Sequence, residues 1–83
     1  MTQEKIIMYG ADWCGDCRRA KKFLDEGNIP YAWINTDENK DAEDFVRRVN
    51  GGKRIIPTIV FEDGSMLVEP SNEELAGKLG AVV

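Results

Sequence analysis

The 83 residues predict an α/β fold of order β-α-β-α-β-β-α, a four-stranded mixed sheet flanked by three helices, in a single domain over 1–83. Three observations predict it. Short apolar runs alternate with segments of helical period. The first strand, helix and second strand form a βαβ unit, whose right-handed crossover makes its two strands parallel. An Asp63-Gly64 turn then joins the last two strands, which must run antiparallel.

Each element has its own signal. Ile6-Ile7-Met8-Tyr9, closed by Gly10, reads as a buried central strand. From Gly15 to Glu26 the period changes: Cys17, Ala20 and Leu24 share one stripe with Phe23 beside them, and charged residues cover the other faces. Gly27 is the expected C′ residue, and Asn28-Ile29-Pro30 marks the stop. Tyr31 to Asn35 is aromatic and β-branched, and reads as the second strand. Thr36-Asp37-Glu38-Asn39 offers N-caps for a second helix carrying Ala42, Phe45, Val46 and Val49, which Asn50-Gly51-Gly52 ends. Ile55 to Phe61 is the third strand and Met66-Leu67-Val68 the fourth. Ser71 with Glu74 makes a capping box for a last helix whose Leu75, Ala76 and Leu79 face inward.

Composition narrows the function. A formal net charge of −4 argues against a nucleic-acid partner, whose phosphates would be repelled. No apolar stretch approaches the roughly 20 residues of a membrane span. Met1-Thr2-Gln3-Glu4-Lys5 is polar and lacks the basic-then-apolar pattern of a secretory leader, so the expected compartment is the cytoplasm. Two cysteines cannot staple a domain of this size, and in a reducing compartment a close pair points to catalysis or metal.

Cys14-Gly15-Asp16-Cys17 falls where the first strand meets the first helix. One thiol sits at a helix N-terminus, whose free N–H groups and dipole stabilise a thiolate. The thiolate is the species that attacks a disulfide. The other thiol lies one turn inside, on the stripe of Ala20 and Leu24, and is therefore the more buried. Cys14 is expected to attack and Cys17 to resolve the mixed disulfide. Asp12 and Asp16 oppose thiolate formation at Cys14, with Arg18 and Arg19 near enough in sequence to offset them. The chain has no His and no third Cys, so one copy cannot supply the four Cys or His ligands of a structural zinc site.

A family resemblance rests on these residues. The run Ile6 to Cys17, with Tyr9 ahead of Trp13-Cys14-Gly15-Asp16-Cys17, resembles the first strand and active-site turn of glutaredoxins. Ile56-Pro57, Thr58 to Phe61 and Asp63-Gly64 resemble that family's proline strand and turn. Val49-Asn50-Gly51-Gly52 and Glu69-Pro70-Ser71 are most similar to the mycoredoxin-like branch. The likeness spans about Ile6 to Leu79 and implies the thioredoxin/glutaredoxin fold and a thiol–disulfide oxidoreductase. It implies a cis peptide before Pro57, with the Ile56 backbone pairing with bound thiol as a short strand. It also implies a substrate site drawing on Trp13, Tyr9, Ile56 and Pro57, with disulfide-containing proteins and small thiols as partners of a monomer. No tightly bound cofactor is expected; glutathione, mycothiol or another low-molecular-weight thiol would donate electrons.

The chain departs from the family pattern at Ala11, where a lysine is usual, and at Val68-Glu69, where two glycines are usual. A glutathione carboxylate would then meet Lys53, Arg54 or Arg47, and Ser71 and Asn72 would lie at its γ-glutamyl end. The bland reading makes those cations solvated charge, Ser71 and Asn72 helix caps, and Trp13 a packing residue. Three further functional readings stand beside the thiol-dependent enzyme. They are an iron–sulfur or zinc carrier in which two chains each offer Cys14, a protein reductase recharged by thioredoxin reductase, and a binding module without catalysis.

Overall fold

A computed structural model describes residues 6–80. The reading of Met1 to Lys5 as leader-free concerns residues outside that range. The elements are β1 (Ile7–Gly10), α1 (Gly15–Glu26), β2 (Ala32–Asn35), α2 (Lys40–Val49), β3 (Thr58–Val60), β4 (Met66–Val68) and α3 (Asn72–Leu79). The sheet order is β2-β1-β3-β4. β1 and β2 are parallel, while β1/β3 and β3/β4 are antiparallel. The expected βαβ unit and mixed sheet are both present.

Alternation along β1 divides the molecule into two packed layers, because successive strand side chains face opposite sides. Ile6 and Met8 join Ala20 and Leu24 of α1, Ile59 and Phe61 near β3, and Leu75 of α3 in the main core. On the other side, Tyr9 packs on Phe45 of α2 with ring centroids 4.9 Å apart. Asn50, which caps α2, donates to Thr58 Oγ1 of β3 at 3.2 Å. α1 and α3 therefore cover one face of the sheet and α2 covers the other.

The start of the third strand and the C′ residue of the first helix differ from expectation. The third strand begins at Thr58 rather than Ile55. Pro57 has no N–H to give a ladder, so regular pairing starts after it; its carbonyl instead accepts from Glu69 N at 2.9 Å. At the end of α1, Gly27 is the C-cap with φ −85°, and Asn28 takes the left-handed position at φ 55°. Asn28 N donates to Asp25 O and Ile29 N to Leu24 O, the bond pair that closes a Schellman turn. Asparagine tolerates that conformation, so the C′ position falls at Asn28 rather than Gly27, while α1 itself ends at Glu26 as expected. The remaining caps match: Asn39 accepts from Ala42 N, and Ser71 and Glu74 exchange both capping-box bonds.

Candidate active site

The site lies at the carboxyl ends of the parallel strands β1 and β2, where open α/β sheets place ligands. After Gly10 the chain turns through Asp12 and Trp13, held by Cys14 N donating to Ala11 O at 3.2 Å. Cys14 is the N-cap of α1, and its Sγ accepts from Cys17 N at 3.2 Å. A sulfur in that position meets an otherwise unpaired helix donor. Cys14 Sγ also lies 4.0 Å from Ile56 O.

Cys17 is fully buried and Cys14 nearly so, the order expected from the helical stripe. Burial, and then the hydrogen bond with Cys14, push the Cys17 thiol up to about 12 from the ordinary 9.0. Cys17 therefore holds its proton at neutral pH. Gly10 makes this arrangement fit: a Cβ there would lie 2.5 Å from Cys17 Sγ and 2.8 Å from Trp33 Cη2. Along the sequence Gly10 signals only a strand end.

Around Cys14 opens a cleft of about 390 Å³, walled by Trp13, Arg54, Ile55, Ile56, Asp16 and Glu69. The Ile56–Pro57 peptide is cis, as the resemblance implies. Trp13 is 64% exposed, so it is not a packing residue. Its Nε1–H donates to Asp37 Oδ2 at 2.8 Å, and the Arg54 guanidinium sits 5.5 Å from the ring centroid. Arg54 also donates to Thr36 Oγ1 at 3.3 Å and is ion-paired with Asp37. Thr36 bonds in turn to Gly10 O, which ties this wall to the end of β1.

The structure brings Trp13, Cys14, Arg54 and Ile56 to one cleft, with Pro57 behind Ile56 and Cys17 beneath Cys14. It does not bring the other expected substrate residues there. Tyr9 lies against Phe45, on the α2 side. Lys53 is exposed and outside the cleft lining. Arg47 is engaged by Glu43 and Gly52 O. Ser71 caps α3, and Asn72 accepts from Arg19 at 2.8 Å, both beside a neighbouring groove that shares Asp16 and Glu69 with the cleft. Sequence reasoning missed two residues. Asp37 was one of several N-cap candidates, although its place just after a parallel strand was a signal. Glu69 shows along the sequence only as a missing glycine.

Fold and site together define a thiol–disulfide oxidoreductase built on the thioredoxin fold. A glutaredoxin of Methanosarcina mazei superposes with a TM-score of 0.77 and 29% identity, covering 93% of this chain and 79% of that one. The glutaredoxin family model matches residues 6–66. A glutaredoxin-like protein of Mycobacterium tuberculosis is 40% identical over 79 residues, 95% of this chain and 94% of its own length. Mycoredoxin 1 of Corynebacterium glutamicum is 35% identical over 77 residues, 93% and 95% of the two chains. The chain belongs to the glutaredoxin family, whose members exchange disulfides with the help of low-molecular-weight thiols.

Proposed function

We propose that this protein is a dithiol reductase of protein disulfides and of mixed disulfides with a small thiol. The observation that carries the reading is Cys14 Sγ at the N-cap of α1, accepting from Cys17 N, with Cys17 buried one turn inside.

The Cys14 thiolate attacks one sulfur of the substrate disulfide, forms a mixed disulfide and releases the other sulfur as a thiolate. Cys17 then gives up its proton, attacks Cys14 Sγ, and frees the second substrate thiol. The protein is left with a Cys14–Cys17 disulfide and the substrate has gained two electrons. Burial keeps Cys17 protonated until the mixed disulfide is in place, so the two thiols act in order. Ile56 and Trp13 bracket the bound sulfur, Ile56 through its backbone as a short strand and Trp13 as an apolar wall.

The electron donor is mycothiol or another thiol without free carboxylates, in preference to glutathione. Two features support this. Mycoredoxin 1 is among the relatives. Arg54 and Arg47, the cations that would meet a glutathione carboxylate, are already paired with Asp37 and Glu43. The protein works in the cytoplasm as a monomer, in one domain over 1–83, and serves electron transfer in cell redox homeostasis. No helix among the described residues is long and apolar enough to cross a membrane.

The test is mass spectrometry of Cys17→Ser protein incubated with oxidised mycothiol and oxidised glutathione. One thiol mass added at Cys14, from mycothiol before glutathione, is the expected result, with Cys14→Ser inactive. No adduct from either, with turnover sustained by thioredoxin reductase, would overturn the thiol-donor part. Visible absorption in the purified protein, lost with Cys14→Ser, would point to the cluster-carrier reading instead.

A further inference from the structure

We propose that Glu69 sets a charge preference in the Cys14 cleft, so that disulfides flanked by positive groups react ahead of those flanked by carboxylates. This rests on the oxidoreductase reading and names the class of substrate that site takes.

Glu69 has φ 50°, in the left-handed region where glycine is the ordinary occupant. Its backbone is anchored by Glu69 N donating to Pro57 O at 2.9 Å, directly beside the Ile56 segment that faces Cys14. The residue is exposed and borders both the Cys14 cleft and the groove next to it. A partner leaving the cleft toward α3 therefore passes over its carboxylate.

The neighbouring charges leave Glu69 uncompensated. Arg54 is paired with Asp37. Arg19 is held by Asp16, Asn72 and the carbonyl of Pro70. Among the described residues, Glu69 has neither an ion pair nor a side-chain hydrogen bond. Every cation bordering the two grooves thus has a carboxylate partner, while among the described residues Glu69, Glu73 and Glu74 have no cation, and of these three Glu69 alone lines the Cys14 cleft. A groove of one residual sign raises the local concentration of oppositely charged ligands and repels like ones. The ammonium of a lysine next to a substrate cysteine would be drawn in; a carboxylate in the same place would be repelled.

The experiment compares three small symmetrical disulfides: cystamine with two ammonium groups, bis(2-hydroxyethyl) disulfide with none, and dithiodiglycolate with two carboxylates. Single-turnover oxidation of the reduced full-length chain is followed by acid quench and mass. The intrinsic reactivity of each reagent cancels when a variant is compared with wild type. Glu69→Gln is expected to lower the cystamine-to-dithiodiglycolate rate ratio roughly fivefold, with the neutral reagent's rate as the reference for any change in the nucleophile itself. The difference should fade at about 0.5 M salt, where exposed charges are screened. Glu69→Gly, which suits the backbone, should give the same ratio as Glu69→Gln. Glu26→Gln, at the far end of α1, removes the same net charge and should leave the ratio at its wild-type value. A ratio that moves less than about twofold in both Glu69 variants, or that Glu26→Gln moves equally, overturns the proposal alone. A wild-type chain that reduces none of the three overturns the oxidoreductase reading and this proposal with it.

Discussion

Gly10 is the residue on which the dithiol rests. The space a side chain would fill there is already taken by Cys17 Sγ and the Trp33 ring, at 2.5 Å and 2.8 Å from an added Cβ. Both neighbours are held by packing: Cys17 is fully buried, and the Trp33 ring packs against both core clusters. Gly10→Ala should therefore destabilise the protein by about 1–3 kcal/mol, as overpacking does. Urea unfolding is the measurement, with Gly77→Ala, where a Cβ meets nothing within 4 Å, as the comparison. Equal midpoints for the two variants would refute the packing argument. Residue-scale chemistry was partly legible beforehand. Cys14 and Cys17 declared themselves by spacing and by place in the chain. The demands on Gly10, Asp37 and Glu69 did not, because each depends on residues distant in sequence.

Elements were the most legible scale, since each carries its own periodicity and its own terminators. The capping box of α3 is the clearest case: Ser71 N donates to Glu74 Oε1 at 2.8 Å, and Glu74 N to Ser71 Oγ at 3.1 Å. Ser71→Ala is expected to cost about 1 kcal/mol, read as a lower denaturation midpoint. The same variant separates two roles for Ser71. A cap alone leaves the rate of Cys14 adduct formation unchanged in the folded protein, whereas a substrate contact lowers it. The strand start and the helix C′ residue that sequence misplaced share one cause. Thr58 starts β3, and Asn28 takes the C′ position of α1, because of backbone bonds to Glu69 N, Leu24 O and Asp25 O that only the assembled chain displays.

At the scale of the whole molecule, burial of Cys17 links the dithiol to global stability. In the reduced, unfolded chain this thiol loses its proton near the ordinary 9.0; in the folded protein it keeps it to about 12. Between those values the folded state binds more protons, so stability falls as pH rises. Its contribution is fully present below about 9 and is lost progressively toward 12. Reduced wild-type protein should lose stability to urea between about pH 8 and about pH 10.5 more steeply than Cys17→Ser protein does. Identical slopes would show that Cys17 is not the linked group.

The sequence by itself determined the order of elements, the mixed sheet, the family, and the pairing of an outer with an inner cysteine. These follow from hydrophobic period, capping chemistry and one crossover rule, all of which act over short stretches of chain. Only the tertiary structure decided which charged and aromatic residues surround the sulfurs. Trp13, Asp37, Arg54 and Glu69 come from four separate segments. Whether a cation is free to bind a substrate depends on the carboxylate that folding sets beside it. Arg54 and Arg47 looked available along the chain and are not, while Glu69 looked incidental and is the charge left unpaired at the cleft.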